Sequence, residues 1–194
     1  MSRPTIATLA ERRNDLSQRL ILEAALQLLE RTSITEVTAR AVAKQAGVSE
    51  RTVFRYFATR EDLLEAIADE VRKALALPPV PSSLEELLVL PSALYRAFEA
   101  KAELTKAALH TEVFNRMRLT QAKERWAAVT RLVDELAPRR AERERRIAAA
   151  NIRFYLAATA WHYFRFYFGF NLEDSIAAAE TAIRQTINGL QKRA

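Results

Sequence analysis

The sequence predicts an all-α protein of about nine helices, in two domains: residues 1–77, containing a helix-turn-helix, and a larger helical domain at residues 78–194. Three observations carry this expectation. Glycine and proline are scarce, at 3 and 6 in 194 residues, while the helix formers Ala, Leu, Glu and Arg recur throughout. No Val/Ile-rich run beside an Asn-Gly or Asp-Gly turn marks a hairpin. Pro78, Pro79 and Pro81, followed by Ser82 and Ser83, form a stiff break between two helical stretches.

In the first domain, Leu16, Leu20, Ala24 and Leu28, with Ile21, Ala25 and Leu29 beside them, make an apolar stripe at helical spacing, so a helix is expected over about 13–31. A short helix follows Thr38, with Val42 and Ala46 inward and Arg40 and Lys44 outward. Gly47 supplies the positive φ that a tight turn needs, and Val48 can fill the angle between the two helices. A third helix opens at Ser49, a good N-cap, and sets Val53 and Phe57 on its buried face. Thr59-Arg60-Glu61-Asp62 reads as a capping box, starting a fourth helix that runs to about Ala76.

Beyond the proline break, helices are expected at about 84–100, 103–110, 113–136, 141–168 and 173–191. Pro91 is read as an interruption, Pro138 as a stop, and Gly169 and Gly189 as C-caps. Arg139 to Arg146 holds five arginines and two glutamates, a charge run read as a solvated helix face. Residues 154–170 concentrate 9 of the 16 aromatic side chains. A helix so apolar all round leaves rings for a partner surface, as does the final stripe Ile176, Ala179, Ile183, Ile187 and Leu190. A homodimer is expected.

Composition narrows the chemistry. With no cysteine, disulfides, thiolate catalysis and Cys-based zinc sites are excluded. Two histidines 52 positions apart (110 and 162), no Gly-rich phosphate loop and no HExxH argue against an enzyme, so no cofactor and no metal are expected. There is no apolar signal core and no run of ~18 apolar residues, so the expected setting is soluble and cytoplasmic, with no membrane partner. Net charge is +6, but residues 1–77 hold 12 basic against 11 acidic side chains. Within 38–60, however, Arg40, Lys44, Arg51, Arg55 and Arg60 face a single Glu50, and this local excess points to an anionic partner.

The string from Val37 to Leu64, VTARAVAKQAGVSERTVFRYFATREDLL, carries these anchors, caps and glycine in one register. It closely resembles the tetracycline-repressor (TetR) family of bacterial transcriptional regulators over the N-terminal ~65 residues; the rest of the chain is similar only in architecture and length. The resemblance implies a sequence-specific DNA-binding regulator, a repressor, acting on double-stranded DNA at a palindromic operator. It implies that Thr38 contacts a phosphate, that Arg40 reaches a base, and that Arg51, Thr52 and Arg55 read or flank bases from a recognition helix opened by Ser49. Tyr56 and Arg60 resemble phosphate clamps, and Lys44 adds a looser contact. Phe54 stands where the family often has tyrosine, which favours an apolar contact with a thymine methyl. Arg3, Arg12 and Arg13 are read as a solubilising tail rather than a minor-groove arm.

Similar proteins bind a small molecule between the central helices of the second domain. His110, Phe114, Met117, Trp126, Arg153, Tyr155, Trp161 and His162 are the candidate lining here, and their aromatic character implies an apolar or aromatic effector. Tyr163 and Tyr167, with the final stripe, are candidates for the dimer interface. The alternative is a DNA-binding dimer without a small-molecule effector, controlled by a protein partner.

Overall fold

The computed structural model describes the backbone of residues 9–33, 35–110 and 115–192, and their side chains except at 9–13, 110 and 115–121. Among the described residues it is all helical. The chain divides into two compact units, Met1–Val71 and Arg72–Ala194.

The first unit contains α1 (Leu9–Leu29), α2 (Ala39–Ala46), α3 (Glu50–Tyr56) and most of α4 (Arg60–Leu75). On α1 the buried face is Ile21, Leu22, Ala24, Ala25 and Leu29, whereas Leu16 and Leu20, counted in the sequence stripe, are exposed. Val37, Val42 and Ala43 of the α2 region are buried with Val53 and Phe57 of the α3 region, while Ala46 is half-buried. α4 opens with the expected reciprocal cap: Thr59 Oγ1 accepts from the Asp62 amide at 3.1 Å and Asp62 Oδ2 accepts from the Thr59 amide at 2.9 Å. The division between units falls inside α4, and not at the proline break.

The second unit contains α5 (Leu84–Ala100), α6 (Ala102–His110), α7 (Asn115–Leu136), α8 (Glu142–Tyr155), α9 (Ala158–His162), a π-helical segment (Tyr163–Tyr167) and α10 (Leu172–Gln191). Pro91 does not interrupt α5. It is buried mid-helix, where the loss of a backbone donor is outweighed by the packed face Leu87, Leu90, Leu94, Tyr95 and Phe98. Gly189 likewise lies within α10, whereas Gly169, at φ +71°, does end the π segment.

The expected helix over 141–168 is broken. α8 stops at Tyr155, Ala157 is extended at φ −92° and ψ 148°, and α9 runs directly into the π segment. Long-range partners hold the break. The buried Tyr95 hydroxyl donates to the Tyr155 carbonyl at 2.9 Å, taking up an acceptor at the helix end. Trp161, fully buried, donates its indole N–H to Glu99 at 2.9 Å. Arg165 grips the same carboxylate through Nε at 2.9 Å and Nη2 at 2.6 Å.

Nor is the charge run of 139–146 only a solvated face. Arg140 donates to the Leu190 and Gly189 carbonyls at 2.9 and 3.2 Å, capping the end of α10, and Arg145 donates to the Pro138 and Arg140 carbonyls at 3.1 and 2.8 Å. The stripe Ile176, Ala179, Ile183, Ile187 and Leu190 is buried within the protomer against α5 and α8, so these residues do not form a free dimer face. Sequence periodicity locates an apolar stripe and leaves open what covers it.

Candidate nucleic-acid interface and effector cavity

α2 and α3 are held at a defined angle by local chemistry. Thr38 Oγ1 caps α2 by accepting from the Ala41 amide at 3.1 Å. Gly47, at φ +67° and ψ 29°, closes α2 in the left-handed conformation, and the Val48 amide reaches back to Ala43 at 3.0 Å. Ser49 Oγ then accepts from the Thr52 amide at 3.1 Å, which starts α3. Both capping hydroxyls are exposed, and that of Ser49 also shares a hydrogen bond with the Thr52 hydroxyl at 2.9 Å.

Burial of Val53 and Phe57 turns the opposite face of α3 outward. Arg51, Phe54 and Arg55, at i, i+3 and i+4, are all exposed there, with Phe54 at 47%. Thr52 and Tyr56 are half-buried at the edges of that face. Arg55 folds over Tyr56, its guanidinium 5.0 Å from the ring centroid and Nη2 3.2 Å from the hydroxyl. Arg40 and Lys44 project from α2, and Arg60 from the first turn of α4. Arg40 Nε lies 3.9 Å from Glu50 Oε1, a solvated pair too weak to hold the arginine away from another anion. The ten residues singled out in the sequence therefore share one turn-and-helix unit and its flanks. Arg3 lies outside the described residues, and Arg12 and Arg13 outside the described side chains.

In the second unit, a cavity of about 220 Å³ is lined by Leu75, Leu77, Leu94, Phe98, Thr105, Ala108, Leu109, Ala122, Arg125, Arg153, Leu156, Ala157, Ala158 and Thr159. Of the sequence candidates whose side chains are described, only Arg153 lines it. Trp161 is packed in the core, Tyr155 packs against that core, and Trp126 borders a shallow recess on α7 with Arg131, Asp134 and Glu135. His162 borders a separate recess with Leu109, Thr159, Tyr163, Phe166 and Tyr167. Phe114 lies outside the described residues, and His110 and Met117 outside the described side chains. Among the described residues the cavity lining is mainly aliphatic, with Phe98 its one aromatic side chain.

Arg125 escaped the sequence reading. Its signal was a charge in line with the apolar positions Ala122, Val129 and Leu132 of α7. Burial pushes both Arg125 and Arg153 below the usual guanidinium range, and for Arg125 the charge of Arg153 adds to this while Glu124 opposes it.

Tyr163 and Tyr167 are exposed at 49% and 79%, with ring centroids 5.4 Å apart. Phe168, Phe170 and Phe154 are also exposed, and Phe154 is joined to the cluster through Tyr155 and Phe164.

Comparison with known proteins addresses the N-terminal unit by sequence and the whole chain by fold. Residues 21–67 match the family model described as bacterial regulatory proteins, tetR family. The HTH-type transcriptional regulator YvkB of Bacillus subtilis (strain 168) is 37% identical over 54 residues, which is 28% of this chain and 29% of that protein. The aligned part is thus less than a third of that relative's length. The crystal structure of a tetR-family transcriptional regulator from Streptomyces coelicolor superposes with a TM-score of 0.63 at 15% identity, covering 92% of this chain and 88% of that one. NalD, the secondary repressor of the MexAB-OprM multidrug efflux pump in Pseudomonas aeruginosa, gives a TM-score of 0.59 at 17% identity, covering 91% and 96%. At such identities the likeness is one of fold, and these relatives are regulators rather than enzymes. The N-terminal unit thus matches the tetR family of bacterial regulatory proteins at residues 21–67, and over nearly its whole length the chain shares the fold of the tetR-family regulator from Streptomyces coelicolor.

Proposed function

We propose that this protein is a cytoplasmic, homodimeric transcriptional repressor that binds a palindromic operator and is released from it by a small molecule held in the second unit. The observation that carries the reading is the outward face of α3: Arg51, Phe54 and Arg55 project from a helix fixed by the Gly47 turn and the Ser49 cap. A short helix with polar side chains near its N-terminus suits the major groove. Arg40 serves as a base reader, bidentate to guanine O6 and N7. Thr38, Lys44, Tyr56 and Arg60 serve as phosphate contacts that set register. Phe54 lies against a thymine methyl.

One recognition helix reads only a few base pairs, so a two-fold dimer that reads two half-sites about 34–36 Å apart is part of the proposal. Because the α10 stripe is covered inside the protomer, the surface left for the second copy is the exposed face of α8 with Ile147, Ala150 and Phe154, continued by the rings of Tyr163 and Tyr167. Release needs a ligand that prefers the conformation unsuited to DNA, since a ligand with equal affinity for both shifts nothing. α4 begins at Arg60 and ends at Leu75, a wall of the cavity, so one continuous helix carries residues of both sites.

Genomic fragments recovered with the purified protein test the proposal. Enrichment of an inverted repeat with half-site centres about one helical turn apart is expected. Equal affinity for all duplexes at physiological salt would overturn it.

A further inference from the structure

The cavity in the second unit combines apolar walls with two cations, and among the described residues no acid lines it. Leu75, Leu77, Leu94, Phe98 and Leu156 supply the apolar lining, and Arg125 and Arg153 the charge. A guanidinium stays protonated even when burial lowers its pKa, so both charges persist at neutral pH. Arg125 donates through Nη2 to the Pro78 carbonyl at 2.9 Å, which fixes the side chain, while its Nη1 is buried with no hydrogen-bond partner. Arg153 is half-buried and, among the described residues, has no hydrogen-bonding or ion-pairing partner. Removing charge from water without a counter-charge is costly, and two like charges in one partly dry site raise that cost further.

We infer that the molecule this cavity takes is a small organic oxyanion, a carboxylate or phosphate monoester on a short apolar body. This deepens the effector reading above and rests on it. Two guanidiniums present forked donors that match the paired oxygens of such a head group. The leucines match its tail. At about 220 Å³ the cavity lies below the ~300–1,000 Å³ typical of sites for drug-sized molecules, which sets the scale of the body at about six carbons. A neutral apolar molecule would leave the Arg125 Nη1 donor without a partner, and a cation would add a third positive charge.

The test uses the full-length protein and four six-carbon probes: hexanoate, hexyl phosphate, hexanol and hexylammonium, compared by ligand-observed NMR. Both anions are expected to bind at least about tenfold more tightly than hexanol, with hexylammonium weakest. The tighter of the two identifies the head group as carboxylate or phosphate. Arg153→Gln should abolish the preference for anions and raise the melting temperature of the unliganded protein, because an unpaired charge is gone; Arg153→Lys should keep part of the preference. Hexanol binding as well as hexanoate, binding by none of the four, or an Arg153→Gln variant that melts lower and still prefers anions would each overturn the inference. If the anions bind as expected but leave duplex affinity unchanged, the oxyanion site stands and the effector reading falls.

Discussion

At Gly47 the requirement for glycine is conformational and nothing else. Its φ is +67°, and a Cβ built there meets nothing within 4 Å, so Gly47→Ala should cost only the left-handed backbone penalty, about 1 kcal/mol, read as a lower melting temperature; Gly47→Asn should cost less. Ser49→Ala removes the cap of α3 at a similar cost of about 1 kcal/mol. Readout of DNA separates at the same scale. Arg40→Ala should relax preference at one operator position, whereas Arg60→Ala should weaken all duplexes alike and reduce the slope of log affinity against log salt by about 1; anisotropy titrations over matched mutant duplexes distinguish the two. Gly47 and Ser49 were legible in the sequence because their signals are local: a cap lies three residues from the amide it serves, and a left-handed turn selects glycine at that position. Arg125 was not, since what distinguishes it is a cavity built from helices distant in sequence.

Helices whose boundaries follow capping chemistry came out of the sequence within a few residues, as α2, α3, α4 and α5 show. The break between α8 and α9 did not. Leu156-Ala157-Ala158-Thr159 contains neither proline nor glycine, and nothing local stops a helix there. The stop is imposed from α5, by Tyr95 on the Tyr155 carbonyl and by Glu99 on Trp161 and Arg165. The π segment follows from the same anchors: the Phe168 amide reaches the Tyr163 carbonyl, five residues back, at 2.9 Å. Glu99 is thus the tie between α5 and the aromatic segment. Hydrogen bonding from Arg165, opposed by partial burial and reinforced by Trp161, holds its carboxyl below the usual range. A depressed folded-state pKa means a contribution that is complete above the unfolded carboxylate value near ~4.3 and lost as pH falls through the lower folded value. Glu99→Gln should therefore destabilise the second unit at neutral pH by about 2 kcal/mol and flatten the loss of stability below pH ~4, as thermal melts across pH would register.

For the whole molecule, the decisive distinction lies between apolar surface the protomer covers itself and apolar surface it leaves open. Ile183 is fully buried and belongs to the first kind, so Ile183→Ala should cost about 3 kcal/mol of protomer stability whatever the state of association. Phe154 at 53% and Tyr167 at 79% exposure belong to the second kind. If a second copy seats there, placing charge at both positions by Phe154→Glu and Tyr167→Glu removes the apolar contact and sets like charges against each other across the two-fold axis, while each protomer's core stays intact. Sedimentation should then show the natural sequence as a dimer and the double variant as a monomer, with unchanged helical content and a melting temperature that no longer rises with protein concentration. On DNA the monomer should keep salt-dependent binding to any duplex through the positive α2–α4 surface, yet lose its preference for paired half-sites, because nothing then fixes the separation of two recognition helices. A double variant that still sediments as a dimer would move the interface to another surface, and a natural sequence that sediments as a single chain, alone and on DNA, would remove the two-fold geometry on which operator reading depends.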